Sequence, residues 1–149
     1  MCKRRLLSLV LVGLLSCLVE AKQLAIVAEK SNATTNLSTA DLIKVFLAKT
    51  HAWPDGKPIV IVLRDLSSAD MQLVIRKVFS MSAAEARTFV EAHRGSMIVA
   101  DSDEAVIRYV SGTRGAIGVV DLFSLTKDVN VIKIDGKLPV EQGYFLRGD

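Results

Sequence analysis

The sequence predicts an α/β fold: a three-layer single domain in which helices flank a mixed β-sheet. Two observations carry that prediction. Short apolar runs rich in β-branched residues alternate along the chain with segments whose apolar positions recur at helical spacing. Helix caps and glycines fall at the boundaries between them. Of the 149 residues, the roughly 128 from position 22 onward are one domain's worth of chain, enough to bury an adequate core.

The elements follow in order. Leu24-Ala25-Ile26-Val27-Ala28 reads as a strand, and residues 29–37 as a polar loop of Ser, Asn and Thr. Ser38 is a natural N-cap with Asp41 at the third helical position, and Leu42, Ile43, Val45, Phe46 and Leu47 form the helix behind it. Trp53-Pro54-Asp55-Gly56 is a turn, and Ile59-Val60-Ile61-Val62-Leu63 a buried strand. Met71, Val74, Ile75, Val78 and Phe79 share one face of a helix over 69–79. Ser82 and Glu85 make a capping box for a helix carrying Ala86, Phe89 and Val90, which Gly95 ends.

Met97-Ile98-Val99-Ala100 is extended or part of a tight connection. Asp101 or Ser102 caps a helix with Ala105, Val106, Tyr109 and Val110, and Gly112 suits its C′ position. Ala116 to Val120 and Val129 to Ile134 are strands, with Gly118 marking a close approach of another backbone. Asp135-Gly136 is a hairpin-type turn before a tail containing Tyr144, Phe145 and Leu146. No repeat and no linker interrupts this order.

Residues 1–21 read as a targeting segment. Lys3, Arg4 and Arg5 precede an apolar run over 6–18, and Val19 and Ala21 are small residues at the −3 and −1 positions of a signal-peptidase site. The domain is then 22–149. A second processing route exists, because Leu14-Leu15-Ser16-Cys17 resembles a lipobox that would place a lipid on Cys17. Removing 1–21 takes out three basic residues and one acid, leaving 16 Lys+Arg against 15 Asp+Glu. The basic excess therefore belongs mostly to the leader, which argues against a nucleic-acid partner. Both cysteines, Cys2 and Cys17, also leave with it, so neither a disulfide nor a thiolate site is expected in the mature domain.

The segment Arg64-Asp65-Leu66-Ser67-Ser68-Ala69 is the chief candidate site. It joins a buried strand to a helix, where free N–H groups and the positive dipole end face the loop. Ser67 and Ser68 can donate there, and Arg64 can add a planar charged fork, so the turn could hold an anion. The same residues also make an ordinary cap with a surface ion pair. Spacing leaves both readings open. Catalysis has little to stand on: His51 and His93 lie in no metal-ligand spacing, and the serines lack the glycines of a nucleophile elbow. Asp101-Ser102-Asp103-Glu104 fits a first-turn charge pattern better than a calcium loop.

Four segments together resemble the type II periplasmic solute-binding proteins, in particular the phosphate ABC transporter substrate-binding group. They are the first strand with Asn36-Leu37-Ser38 and the Leu42-to-Phe46 helix, and the Trp53-to-Ile59 turn. The others are the Arg64-to-Ser68 spacing, and Tyr109-Val110 followed by Gly115-Ala116-Ile117-Gly118-Val119-Val120. The resemblance implies one lobe of such a protein, exported to the periplasm, non-enzymatic and without cofactor or metal. It implies phosphate or a similar oxyanion as ligand for an ABC-type uptake system, held by the loop Arg64, Asp65, Ser67, Ser68 and Ala69. Arg64 and Ser68 match the family best, while Ala69 and Asp70 stand where it commonly has Gly and Thr. Partners implied are a membrane permease or envelope protein, and a second copy completing the cleft that a single lobe leaves open. The other reading is an envelope accessory module that keeps the fold and has lost the ligand.

Overall fold

Three strands of this protein have both faces buried, and the topology follows from the need to cover them. The computed structural model describes residues 22–148; the leader expected over 1–21 lies outside them. The strands are β1 (Leu24–Ala28), β2 (Asn36–Leu37), β3 (Val60–Arg64), β4 (Met97–Ala100), β5 (Ala116–Asp121) and β6 (Asn130–Ile134). They form one mixed sheet in the order β2-β6-β1-β5-β3-β4. β3 runs parallel to both β4 and β5, whereas β1 is antiparallel to β5 and β6. β2 adds a short parallel pairing with β6 at the far edge.

The helices are α1 (Thr39–Phe46), α2 (Ala69–Val74), α3 (Ala83–Ala92) and α4 (Asp103–Gly112). One face of the sheet, with Leu24, Ile26, Ile61, Leu63 and Ile117, packs under α1, α2 and α3. The opposite face, with Ala25, Val27, Val62 and Val120, packs against Val106, Ile107 and Val110 of α4. These are the three layers the sequence predicts, and alternation along each strand assigns its side chains to one face or the other. The expected caps form: Ser38, Ser68, Ser82 and Ser102 each accept a backbone N–H of the following turn. Ser102, rather than Asp101, caps α4.

Several details differ from expectation. The segment 69–79 is not one uniform α-helix; after Val74 it widens into a π-helical turn (Ile75–Phe79). Leu73 as well as the five predicted positions is buried there, more than a regular apolar stripe would cover. Residues 36 and 37, read as loop, pair with β6 because Thr35 and Leu37 carbonyls accept from Lys133 and Asp135. Gly112 is the last residue of α4, not its C′ residue, and Thr113 is the cap. At Gly118 the close neighbours are foremost side chains: an added Cβ would stand 2.7 Å from Val106 Cγ1 and 3.0 Å from Val110 Cγ2. Gly118 therefore sets the distance of α4 from the sheet.

The tail is structural. Tyr144 and Leu146 enter the core, Leu24 N–H donates to Leu146 O at 3.0 Å, and Gly148 N–H donates to Lys22 O at 2.7 Å. At the opposite end of the sheet the Trp53 turn locks onto the entry to β5. Trp53 Nε1–H donates to Gly115 O at 2.9 Å in a buried position. Gly115 has φ +82°, and a Cβ there would lie 2.2 Å from Pro58 O, so no other residue fits without moving the backbone.

Gly115→Ala is expected to destabilise the protein by about 2–4 kcal/mol, from backbone strain and overpacking together. Gly95→Ala, where nothing lies within 4 Å of the added Cβ, is expected to change stability by less than about 0.5 kcal/mol. Urea unfolding of the two variants beside the parent chain checks the contrast.

Candidate functional site

The two crossovers around β3 meet at one end of the sheet, where the topology predicts a crevice. The chain leaves β3 for α2 and α3 on one face and returns to β4; it leaves β4 for α4 on the other face and returns to β5. Neighbouring parallel strands whose following connections depart to opposite faces leave a gap at their C-terminal ends, the usual place for a ligand in an α/β sheet. Here those ends are Arg64 and Ala100, which are paired in register.

The candidate loop lies at this crevice. Arg64 ends β3, and Asp65 to Ser68 turn the chain into α2. Asp65 Oδ1 accepts the Ser67 backbone N–H at 2.8 Å and the Ser67 hydroxyl at 2.7 Å, while Ser68 N–H donates to Asp65 O at 3.0 Å. The Ser67 hydroxyl, followed by its backbone N–H, holds the exposed Asp65 carboxyl below the usual carboxylate range. Ser68 Oγ accepts Met71 N–H at 3.3 Å, so its lone pairs serve the cap while its own proton remains available to an acceptor. Ala69 is exposed at the first helical position.

Arg64 crosses the crevice. Its Nη1 donates to Asp103 Oδ1 at the start of α4, a contact between residues 39 apart in sequence. Asp103 Oδ2 in turn accepts Asp121 N–H at 3.2 Å and the Ser124 hydroxyl at 2.5 Å. Beside this network, Lys22 Nζ lies 2.6 Å from Asp70 Oδ1 and 3.5 Å from Asp121 Oδ2. The hydrogen bond with Asp70 raises the Lys22 pKa above its usual value, against a smaller desolvation effect. Asp70, which would repel an anion at this turn, thus has a cation of its own. Arg64 Nε, in contrast, is buried without a hydrogen-bond partner among the described residues.

The structure brings Arg64, Asp65, Ser67, Ser68 and Ala69 into one turn and adds Lys22, Asp103, Asp121 and Ser124, which sequence reasoning did not place there. An acidic run directly after a β-run was the one available signal for Asp103. His51 and His93 stand elsewhere. His93 Nδ1 lies 2.7 Å from Phe89 O and its ring rests against Phe89, with centroids 4.2 Å apart. Among the described residues no group of three or more His, Cys, Asp or Glu is placed to hold a metal ion.

No protein-family model and no curated protein matches the sequence. Solved structures do resemble this fold. An ABC-type phosphate transport receptor from Vibrio cholerae superimposes with a TM-score of 0.73 at 20% identity, over 86% of this chain and 54% of that one. PstS from Borrelia burgdorferi gives 0.69 at 18% identity, over 87% of this chain and 55% of the other. A putative phosphate ABC transporter substrate-binding protein from Clostridium perfringens, with bound phosphate, gives 0.68 at 20% identity over 80% and 47%. The likeness is one of fold, and this chain spans about half the length of the proteins it matches.

Because Asp65 is held in its charged form by Ser67, its contribution to stability is present above the pKa of the unfolded chain and is lost as pH falls through its lower folded value. NMR titration of the Asp65 carboxyl is expected to show a midpoint below the ordinary aspartate value. Ser67→Ala is expected to move that midpoint back up; an unchanged midpoint would remove Ser67 as its cause.

Proposed function

We propose that this chain is an exported one-lobe solute-binding domain that takes phosphate or a similar oxyanion at the Arg64–Ala69 turn, for delivery to an ABC-type permease. Its premise is the fold shared with phosphate-binding proteins, and the observation that supports it most is Arg64. A guanidinium has five N–H donors and no acceptor. Asp103 engages one of its nitrogens, and the side chain, 23% exposed, keeps further N–H groups to offer an oxyanion. The Ser68 hydroxyl and the unpaired N–H groups of the first turn of α2 supply further donors.

The carboxylates at the crevice select the form of anion. Asp65, Asp70 and Asp103 repel a fully ionised oxyanion, whereas a protonated one can donate a hydrogen bond to a carboxylate. Monobasic phosphate meets that requirement; sulfate, with no proton at neutral pH, does not. Export by the leader over 1–21, with cleavage after Ala21, would put the domain in the periplasm, and lipid on Cys17 would tether it.

A second reading, an envelope accessory module without ligand, draws on the ion pairs Arg64–Asp103 and Lys22–Asp70, which engage two cations beside the turn. Calorimetric titration with phosphate separates the two. The expected result is a dissociation constant of about 0.1–1 mM, the yield of a few exposed charge-assisted bonds. Arg64→Gln is expected to weaken binding about tenfold or more. Ser68→Gly, which preserves most of the cap, should weaken it by a smaller factor. Asp103→Asn should strengthen it, by roughly fivefold for about 1 kcal/mol of relieved repulsion. Absence of heat at millimolar phosphate from the folded protein favours the accessory reading, and binding indifferent to Arg64 and Ser68 moves the site elsewhere.

A further inference from the structure

The chain enters the domain among exposed apolar side chains. Lys22 and Gln23 lead from the segment 1–21 into β1 and are gripped from several sides. Leu122 N–H donates to Gln23 O at 3.0 Å, Gln23 Nε2 donates to Pro139 O at 3.1 Å, and Gly148 N–H donates to Lys22 O at 2.7 Å. Of the five large apolar side chains exposed among the described residues, three adjoin these contacts. Phe123, 84% exposed, follows Leu122, while Leu138 (38%) and Val140 (66%) flank the buried Pro139. Because β1 is antiparallel to β5 and β5 is parallel to β3, this entry lies at the same end of the sheet as the Arg64–Ala69 turn. The ion pair of Lys22 with Asp70 joins the two.

The sequence ahead of Lys22 decides what such a face meets. Leu14-Leu15-Ser16-Cys17 offers a cysteine for acylation, and only residues 18–21 separate it from Lys22. We propose that the mature chain begins at a lipid-bearing Cys17 and that Phe123, Leu138 and Val140 rest on the bilayer that holds the lipid. This placement depends on the leader over 1–21 being an export signal, and not on whether the turn binds an anion. The Cys17 sulfur forms a thioether to the diacylglycerol carbon of a phospholipid. The bond from that carbon to the headgroup phosphate oxygen breaks, and the thiol proton leaves with the released headgroup phosphate. Water then cleaves the Ser16–Cys17 peptide bond. Five residue steps from Cys17 to Lys22 reach at most about 18 Å, against a width of roughly 35 Å for a domain of this size. The entry face is therefore held at the membrane, and the Trp53 turn at the opposite end of the sheet is held off it. Charges near the entry are mixed: Lys22, Lys127, Lys137 and Arg147 stand against Glu20, Asp121, Asp128 and Glu141. That balance gives no attraction to acidic headgroups, so the contact is one of apolar insertion. The Arg64–Ala69 turn is thereby kept at the membrane-facing end of the domain, within reach of a permease.

The full chain, expressed with its own leader in a bacterium and purified in detergent, tests both parts. Mass spectrometry is expected to find a chain that starts at Cys17 and carries diacylglycerol, and Cys17→Ser is expected to lose the lipid. A mature chain starting at Lys22 overturns the proposal while leaving export intact; an unprocessed chain overturns the export reading with it. Cys2 leaves with the leader and Cys17 is blocked, so a fluorophore attaches only to an introduced cysteine. In phosphatidylcholine vesicles, a fluorophore at Val140→Cys is expected to lose most of its emission to nitroxide-labelled lipid, at low and high salt alike. One at Asp55→Cys, beside Trp53, is expected to keep it. Phe123→Ser with Leu138→Ser, shown to be folded by its urea midpoint, is expected to abolish the quenching at position 140 while the lipidated protein still floats with the vesicles. Equal quenching at 55 and 140, none at either, or quenching that survives the double substitution overturns the apolar face. Phosphate titration in detergent reports separately on the turn.

Discussion

Two-sided burial of β1, β3 and β5 is the constraint from which the other features descend. With no solvent face, these strands need helices on both sides of the sheet, and one chain can supply them only by crossing over in both directions. The crossover from β3 to β4 takes α2 and α3 to one face, and that from β4 to β5 takes α4 to the other. The crevice at Arg64 is the geometric consequence. Gly118 matters for the same reason, since the missing side chain lets Val106 and Val110 of α4 settle against the sheet.

The crevice is braced by charge rather than by apolar packing. Arg64 and Asp103 stand on opposite lips, and Asp103 is further tied to Asp121 at the end of β5 and to Ser124 beyond it. Such a network fixes the lips relative to each other and also occupies part of the guanidinium. An anion bound there as proposed would compete with these contacts. Asp70 shows the matching effect: the carboxylate that looks misplaced in an anion loop is answered by Lys22, which the C-terminal tail holds through the Gly148–Lys22 hydrogen bond.

The local grammar of the chain was readable to within a few residues. Ser82 with Glu85 and the predicted cap at Ser38 act through the next few residues, so their effect is encoded nearby. The π-helical turn at Ile75–Phe79 was not readable, because a widened turn keeps much the same apolar composition as a regular one and answers to packing from Phe46 and Phe89. β2 escaped for another reason. Two residues are too few for any periodicity, and only β6 makes Asn36 and Leu37 a strand.

The sequence by itself determined the α/β class, the alternation of elements and the turn at Arg64–Ala69, because period, caps and glycines are local properties. Only the tertiary structure decided what that turn faces. Asp103, Asp121 and Lys22 reach it from distant positions through strand order, and strand order is set by which faces must be buried. The open edge at Val99 is of the same kind: a four-residue apolar run reads alike in the middle of a sheet or at its border. The difference lies in the neighbour it lacks.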